Sequence, residues 1–157
     1  MVDLDIPGFG PIRLEYLASD FTGTLSVDGR LIEGVKERLN KIGDFLQIHI
    51  ITADTFGKAR EELKGIKGGL LHILSGENHD LQKEAYVNKI GPDKTIALGN
   101  GNNDRRMLKA ARIGIAVSEG EGCAVDAIMA ANIYVRSVLD GLDLLLNPKR
   151  CKASLRF

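Results

Sequence analysis

Short apolar runs alternate with amphipathic stripes along almost the whole chain, and this alternation constrains the fold more than any other feature. Residues 45–51, 70–74, 95–98 and 113–117 are nearly continuous apolar runs, too short for helices. Such runs are the pattern of strands buried on both faces. Between them lie helical stretches at 32–42, 56–63, 81–90 and 104–111. The first carries the stripe Ile32, Val35, Leu39, Ile42; the second stops at Gly65 and the third at Gly91-Pro92. Residues 123–130 read as a helix, 133–135 as a strand and 138–146 as a last helix. Before all of these, residues 2–6 and 12–17 flank Pro7-Gly8-Phe9-Gly10-Pro11 and read as an N-terminal β-hairpin. The expected fold class is α/β: a three-layer α/β/α, Rossmann-like, doubly wound and mainly parallel sheet.

The 157 residues are 44% hydrophobic and 27% charged. A chain of this size buries about 70% of its unfolded surface around one core. No internal repeat, low-complexity tract or Pro/Ser-rich linker marks a boundary, so residues 1–157 are read as a single domain. Lys+Arg and Asp+Glu both number 21; a duplex-binding domain shows a basic excess or stripe, so no nucleic-acid partner is expected. No apolar run approaches the roughly 18–20 residues that span a bilayer, and the start, Met1-Val2-Asp3-Leu4-Asp5, lacks the layout of a secretory leader. No membrane association is expected. The basic cluster at 149–156 reads as a solvated terminus. Cys123 and Cys151 have no metal-ligand spacing and form no disulfide framework, so a reducing cytoplasm is the default location.

In such sheets ligands bind beyond the carboxyl ends of the strands. Three polar clusters fall there: Ser19-Asp20-Phe21-Thr22-Gly23-Thr24-Leu25, then Thr52-Ala53-Asp54, then Gly99-Asn100-Gly101-Asn102-Asn103-Asp104. Glycine turns expose backbone amides that cradle phosphate oxygens. Carboxylates and amide carbonyls are hard oxygen ligands suited to Mg²⁺. The chemistry this edge suggests is phosphoryl transfer through a carboxylate nucleophile, with cations and hydroxyls holding the phosphoryl oxygens. Asp20 is the candidate nucleophile and Thr52 a hydroxyl clamp. Lys83 begins the helix before the 95–98 strand, where an ammonium could reach the same edge; Lys94 is its rival. Gly23 and Asn103 join Thr52 and Lys83 as phosphate contacts. Asn100 and Asp104 are candidate metal ligands or orienters.

The motifs then become specific. Asp20-Phe21-Thr22-Gly23-Thr24-Leu25 resembles the phosphorylation motif of the haloacid dehalogenase superfamily, in the Asp-x-Thr-Gly-Thr form of P-type ATPases. At ordinary residue usage that pattern arises by chance on the order of once in 1,000 chains of this length. Ile50-Ile51-Thr52 resembles the second motif, Lys83 the third-motif lysine, and Gly99-Asn100-Gly101-Asn102-Asn103-Asp104 the fourth. The likeness runs from about residue 17 to 135 and is nearest the small soluble P-type-ATPase-like members. It implies a Mg²⁺-dependent phosphohydrolase working through an aspartyl-phosphate on Asp20. The ion would be held by Asp20, the Thr22 carbonyl, Asn100 and Asp104.

Two residues depart from the pattern. Thr22 stands where most phosphatases of the superfamily have an Asp that serves as general acid and base, assistance worth about 10²–10⁴-fold. Asn100 stands where they have an Asp, which removes one charge from the metal site. Slow turnover and a long-lived aspartyl-phosphate are therefore expected. The intervals from Thr24 to Thr52 and from Thr52 to Lys83 are too short for a cap domain, so the site is expected to be open to a phosphorylated small molecule or macromolecule.

Plainer readings stand beside these. Thr52, Asn103 and Asp104 are also good helix caps, and Asp54 competes for the same cap as Thr52, which leaves Asp54 out of the site. His49 and His72 read as paired core histidines and His79 as a loop residue. The same polar edge also suits a non-catalytic module that binds Mg²⁺ with phosphate or a nucleotide. The N-terminal hairpin fits two arrangements, covering its own domain or pairing across a homo-oligomer.

Overall fold

The computed structural model describes residues 1–157. Strands β1 (Val2–Ile6) and β2 (Gly10–Leu14) pair antiparallel as the expected hairpin. Its buried residues alternate along the strands, Val2, Ile6, Ile12 and Leu14 turning inward, as a sheet with one solvated face requires. The 12–17 run is not one strand. It breaks at Glu15, and β3 (Tyr16–Ser19) leaves the hairpin for the central sheet. The physical reason is burial: Leu17, Ala18 and Ser19 are consecutively covered on both faces, which no hairpin strand here is.

A miniature hairpin follows, β4 (Ser26–Val27) and β5 (Arg30–Leu31), hereafter the flap. Helix α1 (Val35–Ile42) starts later than its apolar stripe because Gly34, at φ 87°, holds the left-handed turn that ends the flap. Then come β6 (Gln47–Thr52), α2 (Ala59–Glu62), β7 (Gly69–Ile73), α3 (His79–Ile90), β8 (Thr95–Gly99), α4 (Arg105–Ala110), β9 (Ile113–Val117), α5 (Val125–Ala130), β10 (Ile133–Val135), α6 (Val138–Leu146) and α7 (Pro148–Leu155). The six-stranded sheet is parallel throughout, in the order β10-β9-β8-β3-β6-β7. From β3 the chain builds outward on one side through β6 and β7, then on the other through β8, β9 and β10. The order therefore reverses between β3 and β8, and that is the switch point where a doubly wound sheet opens a crevice.

Each face of the sheet has its own core. On one, α1, α6, α7 and the N-terminal hairpin bury Leu39, Ile42, Leu142 and Leu155 against Leu17, Ile48 and Ile115. On the other, α3, α4 and α5 pack over the small residues Ala18, Ala97 and Ala116. Small side chains let α3 come close to β3 and β8, which is what allows a lysine on α3 to reach the carboxyl edge. No helix is long and apolar enough to cross a membrane.

Several local expectations are corrected. The 56–63 helix shrinks to α2, because Asp54 Oδ1 accepts the amides of Lys58 and Ala59, both at 3.0 Å, and starts the helix there. His79 opens α3 rather than lying in a loop. His72 is exposed, because β7 is an edge strand, and its ring leans on Tyr86 at 4.9 Å. His49 is buried as expected, and its Nδ1 shares a 2.9 Å hydrogen bond with the Tyr86 hydroxyl. The basic tail is helical: α7 buries Cys151 and Leu155 in the core beneath the N-terminal hairpin and leaves Lys149 and Arg150 in solvent.

The α7 packing predicts that Leu155→Ala lowers unfolding stability by about 2 kcal/mol in a urea titration. A merely solvated tail would give a change within about 0.5 kcal/mol.

Candidate active site

Sheet hydrogen bonding places Asp20. Its amide donates to Leu98 O at 3.0 Å, extending the β3–β8 ladder one residue past the end of β3, directly at the switch point. The chain then turns sharply around Phe21, whose carbonyl accepts the amides of Thr24, Leu25 and Ser26 and the Ser26 hydroxyl. Gly23 makes the turn possible: its φ is 78°, and a Cβ there would stand 2.4 Å from Asn100 Nδ2. Gly23 was expected to turn its amide to a phosphate; instead that amide donates to Ser26 O at 3.0 Å. Its contribution is room for Asn100.

Lys83, on α3, is fully buried with its Nζ 2.7 Å from Asp20 Oδ1 and 2.6 Å from Asp104 Oδ1. Lys94 is exposed and pairs with Glu15 at 3.1 Å, away from this edge, so Lys83 is the lysine the fold brings to Asp20. The other oxygen of Asp104 accepts the amides of Asn100 and Gly101, each at 2.9 Å. Both oxygens of Asp104 are thus engaged, which makes it an orienter of the loop and of Lys83. Asn100 Nδ2 donates to Gly122 O at 3.1 Å, while its Oδ1 lies 3.2 Å from the Thr24 hydroxyl.

Thr24 is the residue the sequence reading left without a role. Its hydroxyl also lies 3.1 Å from Asp20 Oδ2, so it bridges Asp20 and Asn100. Its place inside the Asp-x-Thr-Gly-Thr pattern was the available signal. Thr52 ends β6 and accepts the Asp54 amide at 2.9 Å, which leaves its hydroxyl proton free. Asp54, not Thr52, caps α2. Thr22 Oγ1 is buried and has no partner. A cavity of 190 Å³ is bounded by Asp20, Thr22, Thr52, Thr55, Asn100 and Asn103. The expected residues Asp20, Thr22, Thr52, Lys83, Asn100, Asn103 and Asp104 therefore converge on one edge, with Lys83 and Asp104 beneath the cavity floor rather than on it.

One ammonium serves two buried carboxylates here. Burial, then the charge of Asp104, pushes Asp20 up to about 7, against the opposing pull of Lys83 and Thr24. Burial works against the charge on Lys83, but Asp104 and Asp20 together outweigh it and hold the ammonium above the ordinary lysine value. The groups around the cavity that could hold a cation are all oxygens: the Asp20 carboxylate, the Asn100 side-chain carbonyl and the threonines Thr22, Thr52 and Thr55. A set with one carboxylate fits Mg²⁺, which keeps several waters and binds through one or two carboxylates. It does not fit zinc, and no cluster of three His, Cys, Asp or Glu side chains exists in the chain.

Comparison with known proteins shows what the chain is similar to. A family model described as haloacid dehalogenase-like hydrolase matches residues 78–131. An uncharacterized protein of Methanocaldococcus jannaschii is 49% identical over 97 residues, covering 62% of this chain and 95% of that protein. A phosphoserine phosphatase of Lactococcus lactis is 32% identical over 106 residues, covering 68% of this chain and 47% of that enzyme. The chain thus spans about half the length of that phosphatase. A solved 3-deoxy-D-manno-octulosonate 8-phosphate phosphatase from Moraxella catarrhalis, in complex with magnesium, phosphate and KDO, superposes with a TM-score of 0.60 at 19% identity, covering 90% of each chain.

The buried triad makes two stability changes of opposite sign. The folded-state pKa of Asp20 lies above its unfolded value of 3.8, so the stability this group contributes is present below pH 4 and is lost as pH rises toward 7. Asp20→Asn is therefore expected to stabilise the fold by on the order of 2 kcal/mol above pH 7 and by little at pH 4. Lys83→Met leaves two carboxylates facing each other and is expected to cost about 3–5 kcal/mol at pH 7. Denaturant titrations at the two pH values check both.

Proposed function

We propose that this chain is a haloacid dehalogenase-like hydrolase, a Mg²⁺-dependent phosphohydrolase working through a phosphoryl group carried on Asp20. The observation that carries this reading is the placement of the Asp20 carboxylate at the sheet's switch point, where Lys83 and Thr24 fix its oxygens at the floor of a hydroxyl-lined cavity. The phosphatase activities named for its relatives in Lactococcus and Moraxella point the same way.

In this reading a carboxylate oxygen of Asp20 attacks phosphorus, the bond to the ester oxygen breaks, and the departing alkoxide takes its proton from water. Thr52, with its hydroxyl proton free, and Asn103 hold phosphoryl oxygens. Lys83 keeps Asp20 oriented and offsets the charge of Asp104 beneath it. Mg²⁺, when bound by Asp20, the Thr22 carbonyl and Asn100, would offset the repulsion between carboxylate and phosphoryl group and stabilise the charge of the transition state. A second water then attacks phosphorus and frees Asp20. That step needs a base, and Thr22 supplies a hydroxyl where a carboxylate would serve better. The segments in which a cap would be inserted hold only the flap with α1, and α2 with β7, so we read the site as capless.

The unpartnered Thr22 hydroxyl also favours a second reading, a regulatory module that retains its aspartyl-phosphate or simply binds Mg²⁺ and phosphate. Kinetics of phosphate release from an aryl phosphate separate the two. The phosphohydrolase reading expects continuous release, abolished by Asp20→Asn and by EDTA. A burst of one equivalent that then stalls would favour the module. Thr22→Asp is expected to raise the steady-state rate by about 10²-fold, by restoring a general acid and base beside the phosphoryl group. No acceleration would show that dephosphorylation does not wait on this position.

Protons and metal compete for Asp20. Because its folded pKa is raised to about 7, ion binding is expected to release protons near pH 6.5, and the acidic limb of the rate profile should move to lower pH as Mg²⁺ is raised. Calorimetry in two buffers of different ionisation enthalpy measures the release.

A further inference from the structure

We propose that the mouth of this site selects phosphomonoesters whose leaving group carries no second anion and presents a flat or apolar face. The inference rests on the phosphohydrolase reading and names the substrate class for that site.

The cavity measures 190 Å³, less than the roughly 300–1,000 Å³ of sites that enclose a whole ligand. It accommodates the phosphoryl end, and the rest of the ester lies against the mouth. Apart from Asp20, the side chains around the cavity are hydroxyls, amides and a methyl group, all neutral. The ammonium beneath them, Lys83, is fully buried and committed to Asp20 and Asp104. Arg105, the first residue of α4, is turned onto Asp80 at 3.0 Å and onto the Asn102 carbonyl at 2.6 Å. Arg30 and Lys58 are exposed, line no part of the cavity and have no hydrogen-bond or ion-pair partner that fixes their side chains. A carboxylate or second phosphate on the leaving group therefore meets no fixed cation.

The flap builds the mouth. On one side, the Asp28 amide donates to Glu121 Oε2 at 3.2 Å, and Gly120 lies so close to Val27 that a Cβ there would stand 3.2 Å from it. This is the loop whose Gly122 carbonyl holds Asn100. On the other side, Phe56 packs on Gly29, where a Cβ would stand 2.7 Å from the Phe56 Cβ. Phe56 follows Thr55 of the cavity wall. The flap tip is thus clasped between the two loops that flank the cavity, and two consequences follow for a substrate. Phe56 remains 44% exposed, an aromatic face beside the cavity on which a ring or apolar surface can stack. Asp28, at the flap tip, and Glu121, whose Oε2 the Asp28 amide holds, put two carboxylates where the flap meets the loop that holds Asn100. Two such charges close to the leaving group disfavour a further anion there by on the order of tenfold in water, and salt screens the effect.

The test compares kcat/KM for Mg²⁺-dependent phosphate release from phenyl phosphate, L-phosphoserine and 3-phosphoglycerate. The expected order places phenyl phosphate at least tenfold above 3-phosphoglycerate at low salt, with the ratio narrowing at high salt. The double variant Asp28→Asn, Glu121→Gln is expected to narrow that ratio toward one; Asn tolerates the left-handed backbone of Asp28, φ 52°. Phe56→Ala is expected to raise KM for phenyl phosphate more than for 3-phosphoglycerate. Equal or reversed preference in the wild-type protein, or a ratio unmoved by the double variant, overturns the inference and leaves the phosphohydrolase reading standing. If no ester gives release that Asp20→Asn abolishes, the phosphohydrolase reading falls, and this inference with it.

Discussion

Two carboxylates and one ammonium are buried together at the centre of this protein, and the arrangement around them answers to that imbalance. Lys83 cannot fully neutralise both Asp20 and Asp104. Asp104 satisfies its remaining oxygen with two backbone amides of the loop it belongs to, so its charge is well solvated by the protein. Asp20 has only the Thr24 hydroxyl besides the lysine. The residual cost of burial therefore falls on Asp20, whose pKa rises to about 7. A carboxylate left short of partners and facing a cavity is poised to accept a cation or an electrophile. The same feature costs the fold stability, as functional sites commonly do.

The fold supplies this arrangement through its topology. Reversal of strand order between β3 and β8 opens the crevice, and β3 and β8 deliver Asp20 and Asn100 to adjacent points of its rim. The alanines of the α3 side set the depth at which α3 lies, and with it the reach of Lys83. The flap, β4 and β5, lies on the opposite side, between β3 and α1 in the chain. Its tip rests on Phe56 and Glu121, so what lies outside the small cavity is shaped by side chains from three different loops. In the proposed reading, phosphoryl chemistry and leaving-group selection would depend on different parts of the chain, the first on the sheet edge and the second on the clasped flap.

The sheet and the site were legible in the sequence to different depths. Continuous apolar runs gave the central strands, and the polar clusters after them gave Asp20, Thr52, Asn100 and Asp104, because chain direction puts every strand end of a parallel sheet on one edge. What sequence could not give was occupancy of individual groups. The Gly23 amide was a fair phosphate donor until the tight turn around Phe21 committed it to Ser26. Asp104 was open as ligand or orienter until its two oxygens were seen to be taken. The choice between Lys83 and Lys94 depended on helix packing, which periodicity does not encode. The exposed edge β7 and the buried face of α7 were misjudged for a related reason: apolar content shows that a segment can be buried, while its place in the sheet order or beside the hairpin decides whether it is.

The central claim is that Asp20 itself carries the phosphoryl group. Acid quench during turnover of an aryl phosphate with Mg²⁺, followed by borohydride, reduces an acyl phosphate to an alcohol and marks its residue for peptide mass spectrometry. The account predicts homoserine at position 20, absent when Mg²⁺ is chelated. Turnover with position 20 left as unmodified aspartate, or with the mark on another carboxylate, would contradict it.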